Sequence, residues 1–533
     1  MEHYDLAVVG AGPAGLSAAI EAAGAGMGVV VFDENAKPGG QLFKQIHKFF
    51  GSKEHKAKTR GFQIGRELLE EARAVGVKAE LNSAVVAVYG NRELAVSQGE
   101  KIKRVKSDAI IIATGASENM TPFEGWTLPG VIGAGAAQTL MNLHGVMPGK
   151  RVLMLGSGNV GLVVSYQLLQ AGCQVVAVAD IARTIGGYGV HASKIARCGV
   201  PFYLSHTIIK AQGDGKVENV IIGETDAKRE LIPGTERCFE ADTVCVAVGL
   251  SPMSQLLGQA GCRMVNEPQK GGFVPKVNEY GETDIKGIYA AGDVSGIEEA
   301  SAAMIEGRIS GAAAANAAGF MPDGEFKARF EECETSLAQL RRGMFAPGRK
   351  GAEQSETDEG IPLSRALLSK GYIDENELSA FPGFRDCSAL SETYPVIECT
   401  QNIPCNPCQD VCPKGCIHVG NDITALPVLN PKASCSACGM CVAACSGQAI
   451  FLVQPHYEPG YALVTIPYEF FPLPQKGDKG TALSRSGEAL CPAQVVDVRD
   501  AKALDNTRLL SIKVPSSHLN RARFFVKGDF ANG

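Results

Sequence analysis

Tyr4-Asp-Leu-Ala-Val-Val-Gly10-Ala-Gly12-Pro13-Ala14-Gly15 decides the fold of this 533-residue chain. An apolar run too short for a stable helix leads directly into glycines spaced G-x-G-x-x-G, and an alanine-rich helical stretch follows. Gly10 permits a tight turn, Gly12 lets the backbone approach a pyrophosphate, and Gly15 lets the helix pack on the strand. The anion then sits at the helix N-terminus. A second apolar strand, Val29-Val-Val-Phe, ends at Asp33, whose carboxylate can accept from ribose hydroxyls, with Glu34 beside it as the alternative. Strand, glycines, helix, strand and acid arrive in order. That succession predicts a dinucleotide-binding unit rather than a glycine-rich helix start.

The pattern recurs. Lys150-Arg-Val-Leu-Met-Leu155 leads into Gly156-Ser-Gly158-Asn159-Val160-Gly161, a helical stretch to Gly172, and a strand ending Ala179-Asp180. Two Rossmann units are expected, the second nested in the first, with Ala241–Gly249 leading the chain back. Asp180 favours a free ribose 2'-hydroxyl and hence NAD. It lies one position later than Asp33 does in its repeat, which puts Ala179 in the equivalent slot. Arg183 leaves NADP open, and an ATP-occupied or purely structural site is a further alternative.

Nine of the 17 cysteines fall between Cys399 and Cys445, and none precedes Cys173. Cys435-x2-Cys438-x2-Cys441-x3-Cys445 has the spacing of one arm of a bacterial-type two-cluster ferredoxin, in which the fourth thiolate of each run reaches the other cluster. Cys412 is the matching fourth position of the first run, so Cys412, Cys435, Cys438 and Cys441 are expected to hold one [4Fe-4S] cluster. The first run departs from the pattern, because Asn402 stands where a ligand is due and the nearest thiol is Cys399. Cys399, Cys405, Cys408 and Cys445 are the candidates for a second [4Fe-4S] cluster, with a three-iron cluster or a lost site as alternatives, and structural zinc for the whole region. Cys416 and the scattered thiols Cys173, Cys198, Cys238, Cys245, Cys262, Cys333, Cys387 and Cys491 are read as packing residues.

Further motifs resemble the two-dinucleotide-binding-domain flavoproteins, the superfamily of glutathione reductase and thioredoxin reductase. They are Pro38-Gly39-Gly40-Gln41, Ile110-Ile-Ile-Ala-Thr114-Gly115 and Gly287-Ile-Tyr-Ala-Ala-Gly292-Asp293. The resemblance implies FAD at the first site, with Asp293 against its ribityl chain. It departs from disulfide reductases in having no CxxC pair before Cys405, so the flavin must exchange electrons elsewhere. His47 is read as a surface histidine.

The implied fold class is α/β: two nested Rossmann-like domains for FAD and NAD(P), an α+β ferredoxin-like domain and a small C-terminal β-barrel-like domain. The expected boundaries are 1–118 with 251–320 for FAD, 119–250 for NAD(P), a helical linker region at 321–395, 396–456 for the ferredoxin unit and 457–533 for the β domain. Within that last stretch Arg521, Arg523 and Lys527 are read as a solvated face.

The combination of cofactors resembles the FAD-containing α subunits of multi-subunit proline, opine and sarcosine-type amino-acid dehydrogenases. In that group a second flavin subunit oxidises the amine, so the implied partners are an amine-oxidising flavoprotein of this kind, with a further small iron–sulfur subunit, in a hetero-oligomer. The chain is then an oxidoreductase subunit passing electrons between a nicotinamide, FAD and [4Fe-4S] clusters, with no catalytic side chain identifiable beyond the flavin. The alternatives are a stand-alone NAD(P)H:ferredoxin-type oxidoreductase and a non-catalytic wiring subunit. The net charge of -6 gives no reason to expect nucleic acid, and no apolar run reaches the length of a membrane span. Thiolate clustering without a secretory signal predicts a cytoplasmic protein.

Overall fold

The computed structural model describes residues 1–342, 364–386 and 392–528. Glu2–Val9 lies at the centre of a sheet, parallel to Val29–Phe32 on one side and to Lys101–Ile112 on the other. These strands carry apolar residues on both faces because both are covered: one by the helices Pro13–Gly24 and Ala300–Ala317, the other by Val88, Leu94 and Val96 from neighbouring strands and by Leu257 and Cys262. Leu6, Ala7, Val8 and Ile110 to Ile112 are wholly buried. Pro13–Gly24 packs against Ala300–Ala317, where glycines allow the backbones to meet. A Cβ on Gly307 would stand 2.1 Å from the Ala14 carbonyl oxygen.

A second, five-stranded parallel sheet runs Phe202–Leu204, Gln174–Asp180, Arg151–Leu155, Thr243–Val246, Val131–Gly133. The chain passes between the two units through Ala116–Glu118 and Leu250–Pro252, which pair antiparallel.

The cysteine-rich segment and the C-terminal strands do not separate at residue 457. Ile450–Glu458 runs through that position and pairs on one side with Tyr394–Ile397 and on the other with Tyr461–Tyr468. All seven strands form one antiparallel sheet with Tyr394–Ile397 and Phe524–Lys527 at its ends. Its apolar cluster includes Val464, Ile466, Ile512 and Phe525. Gly, Pro and Asp between the strands after residue 457 mark strand ends and so are compatible with a separate small barrel; they carry no information on which distant strand is the neighbour.

Arg523 is not on a solvated face. It is 1% exposed, and its guanidinium donates to Glu398 at 2.7 Å, an oxygen that Arg485 also reaches. Burial alone would raise the Glu398 carboxyl, but the two arginines outweigh it and hold it at about 2. Arg521 and Lys527 do lie near the surface, paired with Glu375 and Asp478. Of the stretch expected to be helical, Asp323–Leu340, Arg365–Lys370 and Glu375–Leu378 are helices. Its Gly-Arg-Lys-Gly and Gln-Ser-Glu-Thr-Asp-Glu-Gly runs, and Cys387, lie outside the described residues.

Candidate functional site: two nucleotide loops and a cysteine region

The first glycine loop divides its labour between the protein and an open space. Gly10 adopts φ 104, where an L side chain is strained, and a Cβ there would meet the Ala113 carbonyl oxygen at 2.4 Å. A Cβ on Gly15 would stand 1.9 Å from the Gly10 carbonyl oxygen, whereas one on Gly12 would meet nothing within 4 Å. The fold itself therefore demands Gly10 and Gly15. Gly12 instead keeps room above the helix end, where Pro13 occupies the first turn and no side chain caps the free N–H groups of Ala14 and Gly15.

Asp33 is buried and bound to its own loop. One oxygen accepts from Ala11 N at 2.7 Å, the other from Asn35 N at 2.8 Å. Glu34 is exposed beside it. Gly40 closes over the loop, where a Cβ would stand 2.9 Å from Gly12 Cα, and Gln41 is exposed next to it. Thr114 donates to the Met253 carbonyl at 2.7 Å, fixing the crossing that Gly115 begins.

The Gly292-Asp293 motif arrives from the far end of the sequence. Gly292 N donates to Glu306 at 2.9 Å, and Asp293 accepts from Glu298 N at 3.3 Å. A Cβ on Gly292 would stand 2.8 Å from that of Ala14, so the motif lies against the first glycine loop. Burial, with a smaller push from Glu298, raises the Asp293 carboxyl to about 6. Glu299 starts the helix Ala300–Ala317. Its side chain is open to solvent yet crowded by protein, as in a deep cleft, and it bonds the Tyr188 hydroxyl.

The second loop repeats these features. Gly156 has φ 113 and its Cβ would meet the Ala247 carbonyl oxygen at 2.2 Å; Gly161 would meet that of Gly156 at 2.1 Å; Gly158 faces open space. Asn159 accepts from Tyr188 N at 2.7 Å, and Val160 is exposed. Gly156 N donates to Ala179 O at 2.7 Å as Gly10 N donates to Phe32 O at 2.8 Å. Asp180, not Ala179, is therefore the counterpart of Asp33. It accepts from Ser157 N and Ser157 Oγ, both at 2.6 Å, and from Ala182 N at 2.8 Å. A bulge between Val175 and Ala177 absorbs the extra residue that had displaced the count.

Gly186-Gly187 was missed. It folds back on the second loop, Gly187 N donating to Ser157 O at 2.9 Å, much as Gly39 N donates to Ala11 O at 2.7 Å. The paired glycines after each acid were the available signal.

The cysteines fall into two groups. Cys412, Cys435, Cys438 and Cys441, with Cys416, line one recess. Burial raises the Cys441 thiol, and so do Cys435, Cys412 and Cys438 in that order, with Cys408 of the other group the smallest contributor. Cys399, Cys405, Cys408 and Cys445 form the other group. Burial pushes Cys399 up to about 12, reinforced by Cys445, and raises Cys405, reinforced by Cys408, Cys445 and Cys399. Backbone N–H groups point at three of the sulfurs: Cys416 N at Cys412 Sγ (3.2 Å), Ala437 N at Cys435 Sγ (3.4 Å) and Ala449 N at Cys445 Sγ (3.3 Å). Among the described residues no three His, Cys, Asp or Glu side chains converge closely enough to hold a single metal ion, and all sixteen described cysteines are free.

The second group abuts the nucleotide units. Gly51 bridges to Cys405. Phe50 and Tyr188 pack against Cys399, Cys405 and Cys445, their rings 5.1 Å apart. Nearby, Ile46, His47, Lys48, Tyr166, Gln167, Lys194, Cys445 and Glu469 line a small cavity between the units. His47 is thus an interior residue, stacked on Phe49; burial first, then Lys194 and Arg60, hold its imidazole neutral, down at about 3.

Two nested glycine loops and a distant Gly-Asp motif that closes on the first of them define a two-nucleotide flavoprotein scaffold. The family model described as pyridine nucleotide-disulphide oxidoreductase matches residues 4–307, and the chain belongs to this family of FAD-dependent oxidoreductases. An opine oxidase subunit from Rhizobium meliloti is 32% identical over 361 residues, covering 64% of this chain and 68% of its own. The alpha subunit of sarcosine oxidase from Corynebacterium sp. (strain P-1) is 30% identical over 331 residues, 60% of this chain but 33% of that longer one. The crystal structure of L-proline dehydrogenase from P. horikoshii shares the fold at 22% identity and a TM-score of 0.50, covering 63% of this chain and 59% of that one. The family match ends well before the cysteine region. No helix among the described residues is long and apolar enough to cross a membrane.

Proposed function

We propose that the chain is the electron-transferring subunit of an amine or amino-acid dehydrogenase complex, carrying FAD, a nicotinamide nucleotide and two [4Fe-4S] clusters in the cytoplasm. The observation that carries this reading is the pairing of thiols: the cysteines separate into Cys412 with Cys435, Cys438 and Cys441, and Cys445 with Cys399, Cys405 and Cys408. That exchange of fourth ligands between runs is what two cubes require. Sulfurs ringing a recess, rather than meeting at one point, fit a cube better than a tetrahedral zinc, whose thiolates stand about 3.8 Å apart. N–H groups aimed at three of them would stabilise thiolate charge.

In this reading FAD lies on Gly10, Gly12, Pro13, Ala14 and Gly15, its ribose near Asp33 and Glu34, its ring side by Gly40, Gln41, Thr114 and Gly115. Gly292 and Asp293 hold the ribityl chain. A nicotinamide dinucleotide lies on Gly156, Gly158, Asn159, Val160 and Gly161, with Asp180 ordering that loop. A flavin exchanges a hydride with nicotinamide and single electrons with iron–sulfur centres, which makes such a chain a two-electron to one-electron converter.

The protein's own share is positional. The helix starts at Pro13 and Asn159 present N–H groups to phosphates. Asp293, held partly protonated near neutrality, can donate to as well as accept from a ribityl hydroxyl. Phe50 and Tyr188 exclude water between the cleft and the Cys405 group. The subunit names of the relatives support placing amine oxidation in a second flavoprotein subunit.

Anaerobic purification with iron, sulfide and flavin analysis tests the reading. About eight iron and eight sulfide per FAD are expected from two cubes. NADH should bleach the flavin, and an iron-free preparation or an unbleached flavin would sink it. Rapid turnover of NADH with a viologen by the isolated chain would favour a stand-alone enzyme instead.

A further inference from the structure

The turn around Cys445 is gripped by two buried lysines from different parts of the fold. Lys48 Nζ donates to the Ala443 carbonyl at 2.7 Å, and Lys194 Nζ reaches the Ser446 carbonyl at 3.5 Å. Lys48 is 5% exposed and Lys194 3%. Lys48 follows the first glycine loop in sequence; Lys194 lies on Gly189–Ala196, just after Gly186-Gly187. The two ammonium groups and Cys445 share the cavity between the units.

Local charges leave this pair in surplus. The cations facing the cavity and its walls are Lys48, Lys194, Arg60 and Arg197; the anions are Glu469 and Asp505. Arg60 holds Glu469 at 3.0 Å and Asp505 at 3.1 Å. Arg197 is engaged by the carbonyl of Gln448, at 3.0 Å, and by its side chain. Lys48 approaches Asp505 only to 3.8 Å. Lys194 has a long bond to Ser446 and the face of Tyr166 at 4.8 Å. His47 and His191 are neutral neighbours, each with a buried Nδ1 that lacks a partner. Lys48 otherwise meets only neutral oxygens, those of Ala443, Leu504 and Thr507, and Lys194 shares its main countercharge, Glu469, with Arg60. Two anions for four buried cations are incomplete compensation, so further negative charge is favoured close by. The Cys445 thiolate group is where it would lie.

We propose that Lys48 and Lys194 are positioning residues for the iron–sulfur group held by Cys399, Cys405, Cys408 and Cys445, stabilising its reduced form. The inference rests on the iron–sulfur reading above. One-electron reduction, by a reduced flavin or a chemical reductant, adds one negative charge and forms no bond. A low-dielectric cavity with two cations favours that added charge. The other group has a weaker counterpart. Arg499 donates to the Cys438 carbonyl at 2.9 Å and Lys414 lines the recess, but the Arg499 side chain is 36% exposed and also faces Asp497, and Lys414 is exposed to water that screens its charge. The group beside the nucleotide units is therefore the more easily reduced of the two.

The test is an anaerobic dithionite titration of the full chain followed by electron paramagnetic resonance, each signal assigned through Cys408→Ser and Cys441→Ser. In Lys194→Met, the oxidised-to-reduced ratio of the Cys408 group at fixed potential should rise about tenfold, a shift of about 59 mV. The Cys441 group should stay put, and Lys194→Arg should restore the original ratio. If the Met variant does not fold, Lys194→Gln serves, since it keeps a donor for the Ser446 carbonyl without the charge. An iron-replete neutral variant with an unchanged ratio overturns the proposal, as does an equal shift of both groups. A wild-type chain without iron overturns the underlying reading as well.

Discussion

At the first glycine loop the residue after the loop-bound acid is Glu34, exposed; at the second it is Ile181, 37% exposed. The loops themselves match up to that position. In both loops the outer glycines answer to backbone contacts, the middle one faces open space, and a carboxylate accepts from the second residue of the loop. The difference teaches that Asp33 and Asp180 hold the loops in shape; in the proposed reading ligand choice falls to the next residue. An apolar Ile181 offers nothing to a ribose hydroxyl.

The comparison breaks most visibly at the glycines. Gly15→Val should abolish FAD retention, and Gly161→Val should abolish nucleotide binding at the second loop while FAD remains. Each Cβ would overlap a carbonyl oxygen, at a cost of about 3 kcal/mol, roughly a hundredfold in affinity. The flavin-to-protein absorbance ratio and NADH titration read the two outcomes separately.

Asp180→Ala is next. It strands the Ser157 and Ala182 donors, costing about 2 kcal/mol, some thirtyfold in NADH affinity with flavin content unchanged. Asp33→Ala should show the reverse. Equal damage at both sites from either change would mean the loops are not independent. A finer contrast is Ile181→Glu, which copies Glu34 into the second loop. It should favour NADH over NADPH by about tenfold, the worth of one charged hydrogen bond.

The smallest effect concerns pH. With its carboxyl raised to about 6 from 3.8, Asp293 binds more protons folded than unfolded between those values. Its contribution to stability is full below about 3.8 and is lost as pH rises through 6. The melting temperature of flavin-free protein should fall across that interval, and less so in Asp293→Asn. An identical slope in the variant would remove Asp293 as the cause.

Sequence revealed the loops because steric demands on glycine are local: a Cβ at Gly10 or Gly156 clashes whatever lies elsewhere. Spacing also suggested two sets of four cysteines, and the neighbours of Cys405 and Cys441 are compatible with that division. Burial of single polar residues was not. His47 beside two lysines looks like surface, and Arg523 looks solvated, until distant partners such as Lys194 and Glu398 come into view. The bulge near Val176 shifted a count that spacing alone could not correct, and the neighbour of Ile450–Glu458 could be read from neither strand.

The strand pair at the mouth of the cysteine region carries one more consequence. Ile397 faces Ile450 across the sheet, and Glu398 N donates to the Ala449 carbonyl at 2.7 Å. The intervening chain leaves and re-enters at a single gate, like a bag drawn shut at its neck. In the proposed reading the segment that holds the clusters thus hangs from one point of the sheet, and other ties of it run to the nucleotide units.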